Sequence, residues 1–320
     1  MDSGRGLLDL IIRQIPGYSG PCRLRLCKEF DREEQFTKLS RKDILRILGT
    51  PRREFPWTMD ALRAQAEHDD RAARLRGIRW ASYAESAYPP LLRELYDPPV
   101  ALFYRGALPD PEKPLAAVVG TRRPSGYAAA QAFDIARTLG RGGVPVVSGL
   151  ALGIDAMAHR GNLAGGGKTV AVLGSGPDMV FPVANRGIAR AILDGGGALV
   201  SEYPPGTAPA KWRFPARNRI VSGLARGVLI AEAPASSGAL ITARFALEQG
   251  RDLWVASAGA ASSRGEGCRA LAEDGGRVIT GAEEILAEWG IEISEENMDS
   301  SFSGGSSLAS SLARSLNIRL

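Results

Sequence analysis

From residue 115 onward, six short apolar runs alternate with helical stretches, at 116–120, 144–148, 169–174, 198–202, 228–232 and 253–257. Runs this short and this apolar suit strands buried on both faces, and strands separated by helices pair in parallel with helices packed above and below. The pattern predicts an α/β fold with a doubly wound, mostly parallel sheet over 116–289. In such sheets ligands bind beyond the carboxyl ends of the strands. Several runs end in Gly, Ser or Glu, so these residues are expected to line a crevice.

The preceding part of the chain reads differently. Residues 1–77 carry short helical periods at 7–15, 22–30, 31–39, 40–48 and 59–74, with Ser40 and Asp43 spaced to cap the fourth. They predict a small all-helical N-terminal domain. Its turn through Pro16 and Gly17 has the look of a helix-hairpin element that holds a nucleic-acid backbone; a plain helical domain is the competing reading. Residues 78–115 contain Pro89, Pro90, Pro98, Pro99, Pro109, Pro111 and Pro114 and read as a connecting segment packed on the core. Residues 300–320 are rich in Ser and Gly and are expected to be disordered, within a short tail over 290–320, with a brief helix open to 308–316.

With 320 residues, 44% of them hydrophobic, the chain can bury a full core in two domains. Its formal charge of +5 permits an acidic partner without demanding one. Cys22, Cys27 and Cys268 form neither a CxxC pair nor an even disulfide set, which argues against zinc and against an oxidising compartment. The first apolar run is broken by Asp9 and Arg13, unlike a signal peptide, and no stretch is long enough to span a bilayer. The expectation is a cytoplasmic protein with no membrane association.

Residues 211–226 hold five basic residues, two aromatics and no acid. Cations on a short run neutralise backbone phosphates, while Trp212 and Phe214 offer stacking faces worth about 1 to 3 kcal/mol per base. Single-stranded nucleic acid suits both features. The competing reading is a helix with a solvated basic face and two core aromatics.

Three strand-to-helix loops bring amides toward the expected crevice: Gly120, Thr121 and Arg122 with Arg123; Ser148 and Gly149 running to Asp155; and Ser237 and Gly238 running to Thr242. Amides at helix starts attract anions; small residues there also simply permit tight packing. The first loop lacks GxGxxG spacing, and the second strand ends in Ser148 where a dinucleotide site wants an acid, so NAD is not expected. Lys168 and Thr169 follow three glycines. However, Asn162 stands where a P-loop needs glycine, and the Lys-Thr pair leads into a strand rather than out of one. Lys168 is kept as a phosphate contact, against a loop lysine without a role.

Asp155 and His159 lie four apart on one helical stretch. The only other histidine is His68, so no metal cluster is expected and His159 reads as a structural group. Glu202 and Glu232 end two strands. They are open to acid or base work, or to holding nearby arginines and amides.

An ordered set of motifs then carries a resemblance. It runs from Tyr88-Pro89-Pro90-Leu91-Leu92 and Leu102-Phe103-Tyr104-Arg105-Gly106, through Val119-Gly120-Thr121-Arg122, Ser148-Gly149-Leu150-Ala151 and Ser201-Glu202-Tyr203-Pro204. It continues with Phe214-Pro215-Ala216-Arg217-Asn218-Arg219-Ile220 and Ser237-Gly238, to Gly250-Arg251. Residues 78–289 resemble the DNA-processing protein A (DprA/Smf) family.

The resemblance implies a Rossmann-like core that binds single-stranded DNA as a homodimer and helps load the RecA recombinase in natural transformation, without catalysis and without a cofactor. It makes Arg122, Lys168, Lys211, Phe214, Arg217 and Arg219 DNA contacts, with Asn218 orienting backbone or phosphate. The chain departs from the family pattern at Leu152, where arginine is usual, at Ala128 and Ala258, and along Arg269-Ala270-Leu271-Ala272. Many members also end in a winged helix, and residues 290–320 are too few for one. The competing functions are an enzyme or sensor for a nucleotide-derived small molecule in the same crevice, and a scaffold kept for protein contacts alone.

Overall fold

The structure is a computed structural model and describes residues 5–51 and 55–293. The disorder expected at 300–320 and the short helix at 308–316 therefore lie outside the described residues. The chain divides into two compact units: one runs to Arg105 and adds Ser175–Met179 and Ser201–Ala208, and the other holds Gly106–Gly174, Val180–Val200 and the chain from Pro209.

The first unit is built on α1 (Leu8–Gln14), α2 (Gly20–Glu29), α3 (Glu33–Phe36), α4 (Arg41–Leu48) and α5 (Met59–Leu75). Leu8, Ile11, Ile12, Leu26, Phe36 and Ile44 pack with Leu62 and Ala66 into one core. Each fully buried side chain of this size contributes about 1.5 to 3 kcal/mol. α4 starts where its sequence signals: the Ser40 hydroxyl accepts the Asp43 N–H at 3.3 Å and the Asp43 carboxylate accepts the Ser40 N–H at 2.9 Å. That reciprocal box satisfies two amides that the first turn leaves without partners.

Residues 78–115, read as a connector, contain secondary structure of their own. β1 (Arg79–Ser82), α6 (Pro90–Arg93) and β2 (Ala101–Gly106) form there, and β1 pairs antiparallel with β2, Ser82 opposite Ala101. The prolines fall outside both strands, so no ladder hydrogen bond is lost.

The second unit runs β3 (Ala116–Val119), α7 (Gly126–Arg141), β4 (Val146–Ser148), α8 (Ile154–Ala164), β5 (Val170–Val172), α9 (Arg186–Asp194), β6 (Ala198–Ser201), α10 (Arg213–Leu224) and β7 (Gly227–Ile230). It continues through α11 (Ala239–Glu248), β8 (Asp252–Ala256), α12 (Ser257–Ala261), α13 (Glu266–Glu273), β9 (Arg277–Ile279) and α14 (Glu283–Glu288). Its strands lie in the order β6-β5-β4-β3-β7-β8-β9, and the pairs from β6 to β9 are parallel. The chain winds outward from β3 to β6, then returns to β7 beside β3 and winds the other way, which is the doubly wound arrangement. β9 was not foreseen; with Arg277 and Val278 exposed, its three residues carry no apolar run.

Val118, Val146, Leu229 and Trp254 of the strands pack with Ile135, Leu139, Ile154 and Ile285 of the helices. A buried asparagine braces this layer. Asn162 on α8 donates to the carbonyls of Ala136 and Val144 at 3.1 and 3.0 Å, and its own oxygen accepts the Val146 N–H at 3.3 Å. Among the described residues no helix is long and apolar enough to cross a membrane.

Candidate nucleic-acid interface

The winding direction reverses between β3 and β7, so the loops leaving their carboxyl ends diverge and open a cleft between them. The cleft has a volume of about 860 Å³ and lies within the second unit. The three loops singled out by sequence all reach it, through Gly120, Thr121, Arg122 and Arg123, through Gly149, Ala151 and Asp155, and through Ser237, Gly238 and Thr242.

Among the described residues, cations dominate its lining: Arg122, Arg123, Lys211, Arg217 and Arg264, against the single carboxylate of Asp155. Arg122, Arg123, Lys211 and Arg264 are exposed, whereas Asp155 and Arg217 are buried, so the charge that solvent meets is positive. Phe214 and Phe181 add an apolar wall, their ring centroids 5.7 Å apart. Phe181 is 45% exposed. It was missed in the sequence because its loop, after β5, carries no basic residue to draw attention.

Arg217 is not a surface cation. It is 5% exposed, donates from Nη1 to the Val172 carbonyl, and has a buried Nε without a partner. Burial pushes its pKa down and Asp155 opposes that. Asp155 accepts the N–H groups of Gly149 and Ala151 at 3.1 and 3.2 Å, which fixes the β4–α8 loop; burial raises its pKa, while Arg217 and these amides lower it. The pair forms the floor of the cleft. Asn185 supports the same loop from below, donating to the carbonyls of Leu150 and Ala151 at 2.9 and 3.0 Å. Gly153 must be glycine: its φ is +77° and a Cβ would stand 2.4 Å from the Thr121 carbonyl oxygen.

Other expected residues sit elsewhere or serve the frame. Asn218 donates to the Gly238 carbonyl at 3.2 Å. The Ser148 hydroxyl donates to the Val118 carbonyl at 2.7 Å and does not line the cleft. Lys168 precedes β5, so it belongs to the amino end of the sheet rather than the carboxyl end where the cleft lies. Arg219 and Trp212 are likewise not among the lining residues. The helix phase explains Arg219, since two residues along a helix point about 200° apart and Arg217 faces the cleft.

Glu232, weighed as an acid or base, is fully buried. Its carboxylate accepts the Ser125 N–H at 2.7 Å and the Ser262 hydroxyl, so it clamps two loops. Glu202 belongs to the first unit. His159 does not pair with Asp155; its Nδ1 lies 2.7 Å from the Thr169 hydroxyl. That hydroxyl donates to the Val146 carbonyl at 2.6 Å, so Nδ1 carries the proton and Nε2 stays bare. Burial and the nearby Arg217 charge push the His159 pKa down to about 3. Among the described residues no group of three or more His, Cys, Asp or Glu side chains is placed to hold a metal.

The chain is similar to several known proteins. The chain is 43% identical over 208 residues to DNA processing protein DprA of Streptococcus pneumoniae, covering 65% of this chain and 73% of that protein. It is 43% identical over 199 residues to protein Smf of Escherichia coli, covering 62% of this chain and 53% of that protein. The chain thus spans between half and three quarters of these relatives. The X-ray structure of DNA processing protein A from S. pneumoniae superposes with a TM-score of 0.71 at 33% identity, over 91% of this chain and 99% of that one. A structure of DNA processing protein A from Helicobacter pylori, described for its single-stranded DNA binding mode, gives a TM-score of 0.58 at 30% identity, over 66% of this chain and 95% of that one. The family profile described as DNA recombination-mediator protein A matches residues 79–290, and the chain belongs to that family.

Proposed function

We propose that this protein binds single-stranded DNA in the cleft at the β3/β7 reversal and, as a homodimer, mediates loading of the RecA recombinase onto that strand during transformation and recombination. The observation that carries the reading is the cleft's combination of exposed cations with a paired aromatic wall, the Asp155 carboxylate buried beneath them. Phosphates meet the guanidiniums; unpaired bases meet the rings, which a duplex would keep out of reach. The relative from H. pylori, described for binding single-stranded DNA, supports the same reading.

The rival reading, chemistry on a nucleotide-derived small molecule, is less well supported. Both carboxylates near the cleft are committed: Asp155 to two backbone amides, Glu232 to Ser125 and Ser262. The proposal gives the cleft a binding role and no bond-making step, and it places the protein in the cytoplasm with its recombinase partner.

Anisotropy of a labelled poly-dT oligonucleotide, single-stranded against duplex and over a salt series, tests the binding. Tight, salt-sensitive binding that prefers the single strand is expected. Equal affinity for duplex, or none at low salt, would overturn it.

A further inference from the structure

The loop between α12 and α13 carries Arg264 to the cleft wall, exposed, from a part of the chain more than 130 residues beyond Arg123. It is a fastened loop. The Ser262 hydroxyl is bonded to the Glu232 carboxylate, whose other oxygen takes the Ser125 N–H at 2.7 Å, and the Arg264 N–H reaches the Ser262 hydroxyl at 3.1 Å. On the outer side, Arg269 Nη1 donates to the carbonyls of Ala260 and Ser262 at 3.1 and 2.7 Å.

The Arg264 guanidinium is aimed by one further bond, from Nη1 to the Arg123 carbonyl at 3.3 Å. A carbonyl fixes direction without neutralising charge, and four of the five guanidinium N–H donors remain for a ligand. The bond ties the Arg264 side chain to the backbone of Arg123, and both residues line the cleft.

We propose that Arg264, together with Arg123, forms a second phosphate-binding wall that grips a backbone phosphate of the strand in addition to the one met by Arg122. The inference rests on the single-stranded DNA reading above and extends its footprint to the α12–α13 loop. Ser262, Glu232 and Arg269 act as positioning residues, since they hold the loop and not the ligand. An arginine fork bonds two phosphate oxygens at once, and lysine preserves only the charge.

The test uses the whole chain and a labelled poly-dT oligonucleotide, with Arg264→Ala, Arg264→Lys and Arg122→Ala measured against the parent over a salt series. For Arg264→Ala the expected result is a several-fold loss of affinity and a slope of log affinity against log salt shallower by about 0.7, one single-strand phosphate contact. Arg264→Lys should restore the slope. A residue acting only on the fold would leave the slope unchanged. If Arg122→Ala weakens binding while Arg264→Ala matches the parent in affinity and slope, the second wall is wrong and the binding reading stands. If the parent itself does not bind, both fall.

Discussion

A Cβ placed on Gly149 would stand 2.2 Å from Nη1 of Arg217, so the loop after β4 and the guanidinium beneath the cleft occupy space that only a missing side chain leaves open. Arg217 is itself pinned by its bond to the Val172 carbonyl and cannot swing aside at no cost. Gly149→Ala is therefore expected to destabilise the fold by about 1 to 3 kcal/mol, the usual cost of overpacking. Thermal denaturation checks it; an unchanged midpoint would show that Arg217 can relocate.

Arg217→Ala should behave differently from Arg122→Ala. Removing the buried guanidinium leaves the Asp155 carboxylate without the positive charge that lowers its pKa, so a loss of stability on the order of 2 kcal/mol or more is expected alongside any loss of binding. Arg122 is exposed, so its removal should leave the melting temperature within a degree or two and reduce affinity alone. Denaturation and oligonucleotide titration of both variants separate the two roles.

Phe214→Ala should weaken binding by about 1 to 3 kcal/mol for a lost base contact, with the salt slope nearly unchanged because no cation is removed. Phe214→Trp should retain most of the affinity. A large fall in slope for the alanine variant would mean that the ring acts by placing a nearby cation instead of stacking.

The His159 pKa, lowered from 6.5 to about 3, makes stability depend on pH in a definite direction. Between those values the unfolded chain binds a proton that the native imidazole refuses, so the contribution is complete above about pH 6.5 and is lost as pH falls toward 3. The slope from this one group approaches 1.4 kcal/mol per pH unit. Asp155, raised by burial, acts in the opposite sense, losing its contribution as pH rises through its folded value. In His159→Asn the amide can replace Nδ1 as donor to Thr169 and does not titrate. Urea unfolding between pH 4.5 and 6.5 should then show a slope smaller by close to one proton, and equal slopes would place the parent's acid sensitivity elsewhere.

What the sequence determined by itself was periodic and local. Apolar runs of five or six residues marked β3 to β8, because a strand buried on both faces needs no other signal, and Ser40 with Asp43 marked the start of α4, because a cap is made within four residues. Three of the cleft loops followed from those strand ends. Only the tertiary structure decided which cations share the cleft. Arg217 and Arg219 stand two apart in one basic run, yet helix phase lines the cleft with the first and not the second. Lys168 has the neighbours of a phosphate ligand but enters its strand from the amino end. Arg264 and Phe181 reach the site from distant loops, through contacts with Arg123 and Phe214. Hydrophobic period is written residue by residue along the chain, whereas proximity across a sheet is set by strand order, and strand order emerges only when the whole core packs.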